Sequence, residues 1–252
     1  MLLAVYTLWL RDVVRFLRQR SRVVGALGSP IVFWALIGSG LHRSFRAPEG
    51  AGSMSYLEYF FPGTLALIVL FTAIFSTISV IEDRQEGFMQ GVLVAPVPRA
   101  AIVLGKIAGG TTLAVLQGLV FLLFAPLVGM HIGLADLAGI VGVLVLVGLG
   151  LTGLGFLLAW SLDSTQGFHA IMNLFLVPMW ILSGALFPAY GAAGWIRGIM
   201  LANPLTYGVA ALRTLVTPSL AATVPPLGIS IAVMSLFTLV MIGADTVVVR
   251  RR

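Results

Sequence analysis

Apolar residues in this chain gather into six long runs free of charged side chains, at 23–41, 60–81, 107–130, 137–160, 168–187 and 227–244. Each run holds 18 to 24 residues. A helix rises about 1.5 Å per residue, so roughly 20 residues cross a hydrocarbon core about 30 Å thick. The pattern predicts an all-α polytopic membrane protein of six transmembrane helices, with 1–252 forming a single transmembrane domain. Pro30, Pro126 and Pro178 fall inside runs. They are expected to kink the spans, because neighbouring helices can satisfy the backbone groups a proline frees.

The first 22 residues do not read as a signal peptide, since their bases follow the apolar stretch instead of preceding it. Arg11, Arg15, Arg18 and Arg22 step by four, three and four, which places them on one helical face, with Leu2, Trp9, Val13 and Phe16 opposite. Segment 1–22 is therefore expected to form an interfacial helix whose apolar face enters the headgroup boundary, each Arg adding at most about 1 kcal/mol near anionic lipid. The alternative is a plain extension of the first span. Gly-x-x-x-Gly spacings occur at Gly105/Gly109, Gly129/Gly133 and Gly194/Gly198, and Gly148, Gly150, Gly153 and Gly155 crowd the fourth run. Small residues let helix backbones approach closely in lipid.

Composition removes the soluble alternative. The 252 residues are 59% hydrophobic and 10% charged, whereas a water-soluble surface needs about a quarter of its residues charged. The absence of Cys excludes disulfides, thiol catalysis and Cys-based metal sites. His42, His131 and His169 are scattered, so no metal site is expected. The net charge of +6 sits in clusters beside the runs, which points to membrane lipid and orientation, not to nucleic acid. With the amino terminus in the cytoplasm, eleven of the fifteen bases lie inside: Arg11, Arg15, Arg18, Arg20, Arg22, Arg84, Arg99, Lys106, Arg250, Arg251 and Arg252. Arg43, Arg46, Arg197 and Arg213 lie outside, a bias of the sense that the positive-inside rule requires. Both termini are then cytoplasmic, and the loop 161–167, with Asp163 and no base, says nothing.

The densest polar island is Glu82-Asp83-Arg84-Gln85-Glu86-Gly87, directly after the second run. It could be a solvated helix end with local pairs. It could hold Mg²⁺ and a lipid diphosphate in an intramembrane enzyme, but that chemistry needs a second, facing acidic cluster, and Asp136, Asp163 and Asp245 are solitary in the sequence. A third reading is a docking element over 82–99. There Glu82, Arg84 and Glu86 make polar contacts and Phe88, Met89 and Leu93 cover apolar area on a partner, while Gly87, Gly91, Pro96 and Pro98 break the helix.

The stretch 82–87, followed by Leu93-Val94-Ala95-Pro96-Val97-Pro98-Arg99 and Gly105-Lys106, resembles the cytoplasmic signature of type-2 permease subunits of ATP-binding-cassette exporters, the group of daunorubicin-resistance and nodulation-factor exporters. Leu182-Ser183-Gly184-Ala185-Leu186-Phe187-Pro188, with Asn203-Pro204-Leu205-Thr206-Tyr207 and Arg213, resembles that family's extracellular half-helices. The resemblance covers essentially the whole chain. It implies an amino-terminal interfacial helix, a cytoplasmic coupling helix within 82–99 and a re-entrant extracellular element at 188–208, where Tyr190, Trp195 and Tyr207 suit an interface. It also implies a bacterial inner-membrane location, a second permease copy, and two cytoplasmic ATPase subunits that bind the ATP and Mg.

The chain itself has no phosphate-binding loop. The only approach to Gly-x-x-x-x-Gly-Lys-Ser/Thr, at Gly105-Lys106, has Ala100 and Ile107 at the other required positions. Nor do the apolar runs contain the Asp, Glu, Lys or Arg that would mark the path of an ion-driven carrier. The expected role is that of a non-enzymatic permease without a cofactor of its own, exporting a hydrophobic or amphipathic small molecule or lipid. Phe71, Thr72, Phe75, Asn173 and Trp180 are candidates for its path, against ordinary interhelix packing. A glycan or lipid-linked polymer exporter and a non-transport scaffold or intramembrane enzyme stand as alternatives.

Overall fold

A computed structural model describes residues 1–41, 45, 54–188 and 192–251. Among these residues all regular structure is helical. The order is α1 (Leu2–Arg18), α2 (Arg20–Gly40), α3 (Tyr56–Ser76), α4 (Ile78–Gln85), α5 (Phe88–Val94), α6 (Arg99–Leu122), α7 (Leu134–Ser161), α8 (Thr165–Trp180), α9 (Gly194–Ala202), α10 (Pro204–Val216) and α11 (Leu227–Arg251). Six stretches are long and apolar enough to cross a membrane: Val23–Gly40, Tyr56–Gln85, Arg99–Leu122, Leu134–Ser161, Thr165–Ala185 and Leu227–Arg250. The protein is a multi-pass integral membrane protein.

Helices α3, α8 and α10 begin where a side chain satisfies a free N–H group of the first turn. Ser55 accepts from the Glu58 backbone N–H and donates to Glu58 Oε1. This serine cap starts α3 at Tyr56, four residues before its apolar run. Ser164 caps α8 through the Gly167 N–H, and Asn203 caps α10 through the Leu205 N–H, with Pro204 in the first turn.

Three further boundaries depart from the apolar runs around a charge or a proline. Helix α6 starts at Arg99, so Lys106 lies inside it, one of the few charges carried into a span. It stops at Leu122, because Pro126 sits in a 3₁₀ turn, Ala125–Val128, closed by Gly129 at φ 77°. Pro126 therefore serves a turn, not a kink, while Pro30 and Pro178 do lie inside α2 and α8. Helix α11 runs on to Arg251 and buries Asp245, which faces Gly153 of α7.

Helix α3 is the axis of the bundle, with α2, α6, α7 and α10 packed around it. The glycine-rich α7 allows three close crossings. A Cβ on Gly148 would lie 3.1 Å from Thr111 of α6, one on Gly150 2.8 Å from Thr238 of α11, and one on Gly155 2.9 Å from Thr77 beside α3. Among the described residues, of the Gly-x-x-x-Gly pairs only Gly105/Gly109 meets another helix: their faces receive Leu8 and Asp12 of α1.

Gly110 is the tightest of these positions, since a Cβ there would overlap Ser76 Oγ and stand 2.6 Å from Thr152 Cγ2. Gly110→Val is expected to destabilise the chain by about 1–3 kcal/mol through overpacking. Thermal unfolding in detergent checks this, and an unchanged midpoint would mean that α3, α6 and α7 can separate freely.

Candidate functional site

The polar island is not a loop. The span begun by α3 breaks at Thr77, whose hydroxyl donates to the Ile74 carbonyl at 2.6 Å, and resumes as α4, so Glu82, Asp83 and Arg84 sit on the last turns of a helix. Gly87, at φ 78°, then turns the chain into the short α5. Only glycine adopts that conformation without a steric cost. Ala95 is extended, as the residue before a proline should be, and Pro98 precedes α6.

Asp83 is the centre of the arrangement, fully buried at the end of α4. Arg11 of α1 forks onto it, Nη1 to Oδ2 at 2.8 Å and Nη2 to Oδ1 at 2.7 Å. Arg15 donates to Asp83 Oδ1 and to Glu86 Oε1, each at 3.0 Å, and pairs with Glu82 at 3.2 Å. From α6, Lys106 donates to Asp12 Oδ1 at 2.9 Å, to Ser79 Oγ at 3.2 Å and to Asp83 Oδ2. Burial pushes the Asp12 carboxyl above its usual range, against the pull of Lys106. The hydrogen bond to Asp83 raises Arg11 in turn. Bidentate, charge-assisted bonds of this kind fix orientation as well as position.

Two further ties hold the same segment. Arg84 Nη1 donates to the Trp160 carbonyl at 2.8 Å and Nη2 to Asp163 Oδ1, while Gln85 Nε2 donates to the Asp163 carbonyl at 2.8 Å. Asp163, solitary in the sequence, is thus an anchor in the α7–α8 turn. Arg99 donates to the carbonyls of Val249 at 3.2 Å and Arg250 at 2.8 Å, a cation at the C-terminus of α11 where the helix dipole favours it. Helix α1 and the end of α11 are therefore both fastened at the end of the bundle that carries Asp83.

Segment 1–22 behaves differently from its helical-wheel reading. Val13 and Phe16 pack on α6 with Leu113, and Trp9 Nε1 donates to Thr112 of α6 at 2.9 Å, so this face is covered by protein, not lipid. Leu2 and a second stripe, Leu3, Leu10, Val14 and Leu17, are exposed. The side chains of Arg20 and Arg22 lie outside the described residues, as do Arg43, Arg46 and Tyr190.

The proposed contact residues of 82–99 divide. Met89 is buried within the bundle, and the Phe88 ring lies under the Arg11 guanidinium at 3.7 Å, so the chain itself occupies both. The outward apolar surface is Val94, 87% exposed, beside exposed Gln90, Gly91 and Pro96. Leu93 is half-buried over a hollow of about 370 Å³ that it shares with Ile81, Trp160 and the Arg84–Asp163 pair. The side chains the sequence reading missed are Asp83, Arg11, Arg15, Asp12, Ser79 and Lys106. One signal for them is Lys106 itself, a lone cation between apolar residues in need of an acid.

A larger cavity, about 780 Å³, lies between α2, α3 and α8. Phe71, Thr72, Phe75 and Trp180 all line it, whereas Asn173 is exposed and does not. Its rim residues Phe33 and Val177 are exposed on the outer faces of α2 and α8. The bent pair α9–α10, broken by 85° at Asn203, lies at the opposite end of the bundle from Asp83, with Arg213 of α10 stacked 4.4 Å from the ring of Tyr59 near the start of α3. Asn203 also donates to the Met179 carbonyl at 2.6 Å, fastening the bend to the end of α8.

Known proteins with a similar sequence include permeases. Nodulation protein J of Rhizobium meliloti (strain 1021) is 24% identical over 234 residues, 92% of this chain and 87% of that protein. The ycf38 protein of Cyanophora paradoxa, described as a transport permease, is 26% identical over 218 residues, 85% of this chain and 74% of its own length. The multidrug ABC transporter permease YbhR of Escherichia coli (strain K12) is 27% identical over 157 residues, 62% of this chain and 42% of that one. Residues 4–217 match the ABC-2 type transporter family as a whole, and the chain belongs to that family.

Proposed function

We propose that the chain is the membrane-spanning half of an ATP-driven exporter, coupled through 82–99 to cytoplasmic ATPase subunits. The observation that carries this reading is the set of ties on that segment. Within about twenty residues it is bonded to α1, to the α7–α8 turn and to the end of α11. A push on exposed Gln90, Val94 and Pro96 would reach three separate parts of the bundle at once, as a lever between two discrete arrangements requires.

In this reading the Asp83 end is cytoplasmic, in a bacterial inner membrane, with both termini there. The exposed stripe of α1 rests in the lipid interface, and 188–208, built on α9 and α10, is a re-entrant outer element. Two ATPase subunits bind ATP and Mg. A second copy of this chain covers the α2/α8 rim and closes the cavity between them, through which a hydrophobic or amphipathic molecule passes. The test is reconstitution. Purified chain in sealed vesicles should move an apolar dye only when its ATPase partner and ATP are both supplied, and movement by the permease alone would overturn the proposal.

A further inference from the structure

Asp245 takes no part in the ties described above. It lies in the half of α11 nearer the Asp83 end, is 0% exposed, and has neither carboxyl oxygen hydrogen-bonded among the described residues. Its niche on α7 is made by a glycine: a Cβ on Gly153 would stand 3.3 Å from Asp245 Oδ2 and 2.9 Å from the Met241 Cβ. Leu236, Leu239, Val240 and Val247 of the same helix are exposed, so α11 is held from one side only. The helices packed on it are chiefly α6, α7 and α10. Helix α7 brings Asp136, in its first turn at the far end. Helix α10 brings Tyr207, bonded to the Leu201 carbonyl, and Arg213, stacked on Tyr59. Helix α6 brings Lys106, bonded to Asp12 and Asp83, and Arg99, which donates to the Val249 and Arg250 carbonyls one turn beyond Asp245. On α11 itself Arg250 is exposed, and the side chain of Arg251 lies outside the described residues. None of the described groups donates to Asp245.

An ionised carboxylate without a donor is far costlier to bury than a neutral acid, which loses only hydrogen bonds. We propose that Asp245 is a proton-binding site that locks α11 onto α7. With its proton the acid stays in the Gly153 niche. Without it the carboxylate moves out toward water and the guanidinium of Arg99, the proton passes to water, and the end of α11 loosens. The locked packing binds one proton more than the loosened one, so acid favours it and it is lost as pH rises. Because Arg99 joins this helix end to segment 82–99, the same proton governs one of the ties on that segment.

The test reads the packing of Val249, 0% exposed in the locked arrangement, in a chain that has no Cys of its own. The full chain carrying Val249→Cys, in lipid nanodiscs, is labelled with a water-soluble maleimide across a pH series. The series is run with and without Asp245→Asn, which mimics the protonated acid. Dividing the labelling rate with Asp245 by the rate with Asp245→Asn cancels the ionisation of the introduced thiol. That ratio should stay near one in acid and then climb by about tenfold per pH unit, the dependence of one released proton, until the loosened form dominates. A ratio that stays flat across the series overturns the proposal. So does an Asp245→Asn chain whose thiol is open at every pH, because the carboxylate would then be the form that holds the joint. No ATPase enters the measurement, so its failure leaves the coupling reading of 82–99 standing, and failure of that reading leaves the proton site standing.

Discussion

Lys106→Met is expected to destabilise the chain by about 3–5 kcal/mol, the cost of removing one partner from a buried ion pair. The ammonium is buried and bridges two carboxylates, on Asp12 at 2.9 Å and on Asp83. Asp83 would keep its fork from Arg11 and its bond from Arg15. Asp12 would keep only Arg11 at 3.7 Å, and a buried carboxylate with a weakened partner carries most of the penalty. Lys106→Met combined with Asp12→Asn removes that charge too and should recover a large part of the loss, a coupling that neither substitution shows alone. Thermal unfolding in detergent, together with protease cleavage near Gln19, would measure both the stability and the release of α1. A single variant as stable as the wild type would mean that the cluster holds nothing together.

The second large effect falls on coupling. Glu86→Lys places a cation beside Arg15, where Glu86 now accepts at 3.0 Å. Gly87→Pro demands φ near −65° at a residue whose φ is +78°. Together they should detach the turn between α4 and α5 from α1 without touching the apolar spans, so membrane insertion is retained. Transport per ATP hydrolysed should fall by roughly 5- to 150-fold, the range of coupling free energies of about 1–3 kcal/mol, while ATP hydrolysis continues. Transport at the normal ratio in the double variant would remove 82–99 from the coupling role.

How far the sequence could be read depended on the range of the interaction. The six spans were legible because each is a local property of some 20 consecutive residues facing lipid. The breaks at Gly87, Pro96 and Pro98 were legible because they are backbone constraints of single residues. The boundaries were less so. Lys106 and Asp245 end an apolar run on paper, yet both are buried inside helices. A helix continues past a charge when tertiary neighbours shelter it, and no window of adjacent residues contains those neighbours. The same limit explains Asp163, whose partners Arg84 and Gln85 lie almost 80 residues away. It also explains Met89, taken for surface because α5 is short and polar at its ends, yet covered by the bundle.

The sequence alone determined that this is a six-span membrane protein, which end of its bundle collects the bases, and that a kinked polar segment follows the second span. All of these follow from the free energy of placing side chains and backbone in lipid or water, position by position. Only the tertiary structure decided that Asp83 is the point where α1, α4 and α6 meet, that Gly105/Gly109 receive α1, and that Phe71, Thr72, Phe75 and Trp180 share one cavity while Asn173 does not. Those facts depend on how helices distant in sequence rotate against one another, and rotation is set by close packing and paired charges across helices, not by the hydropathy of any one of them.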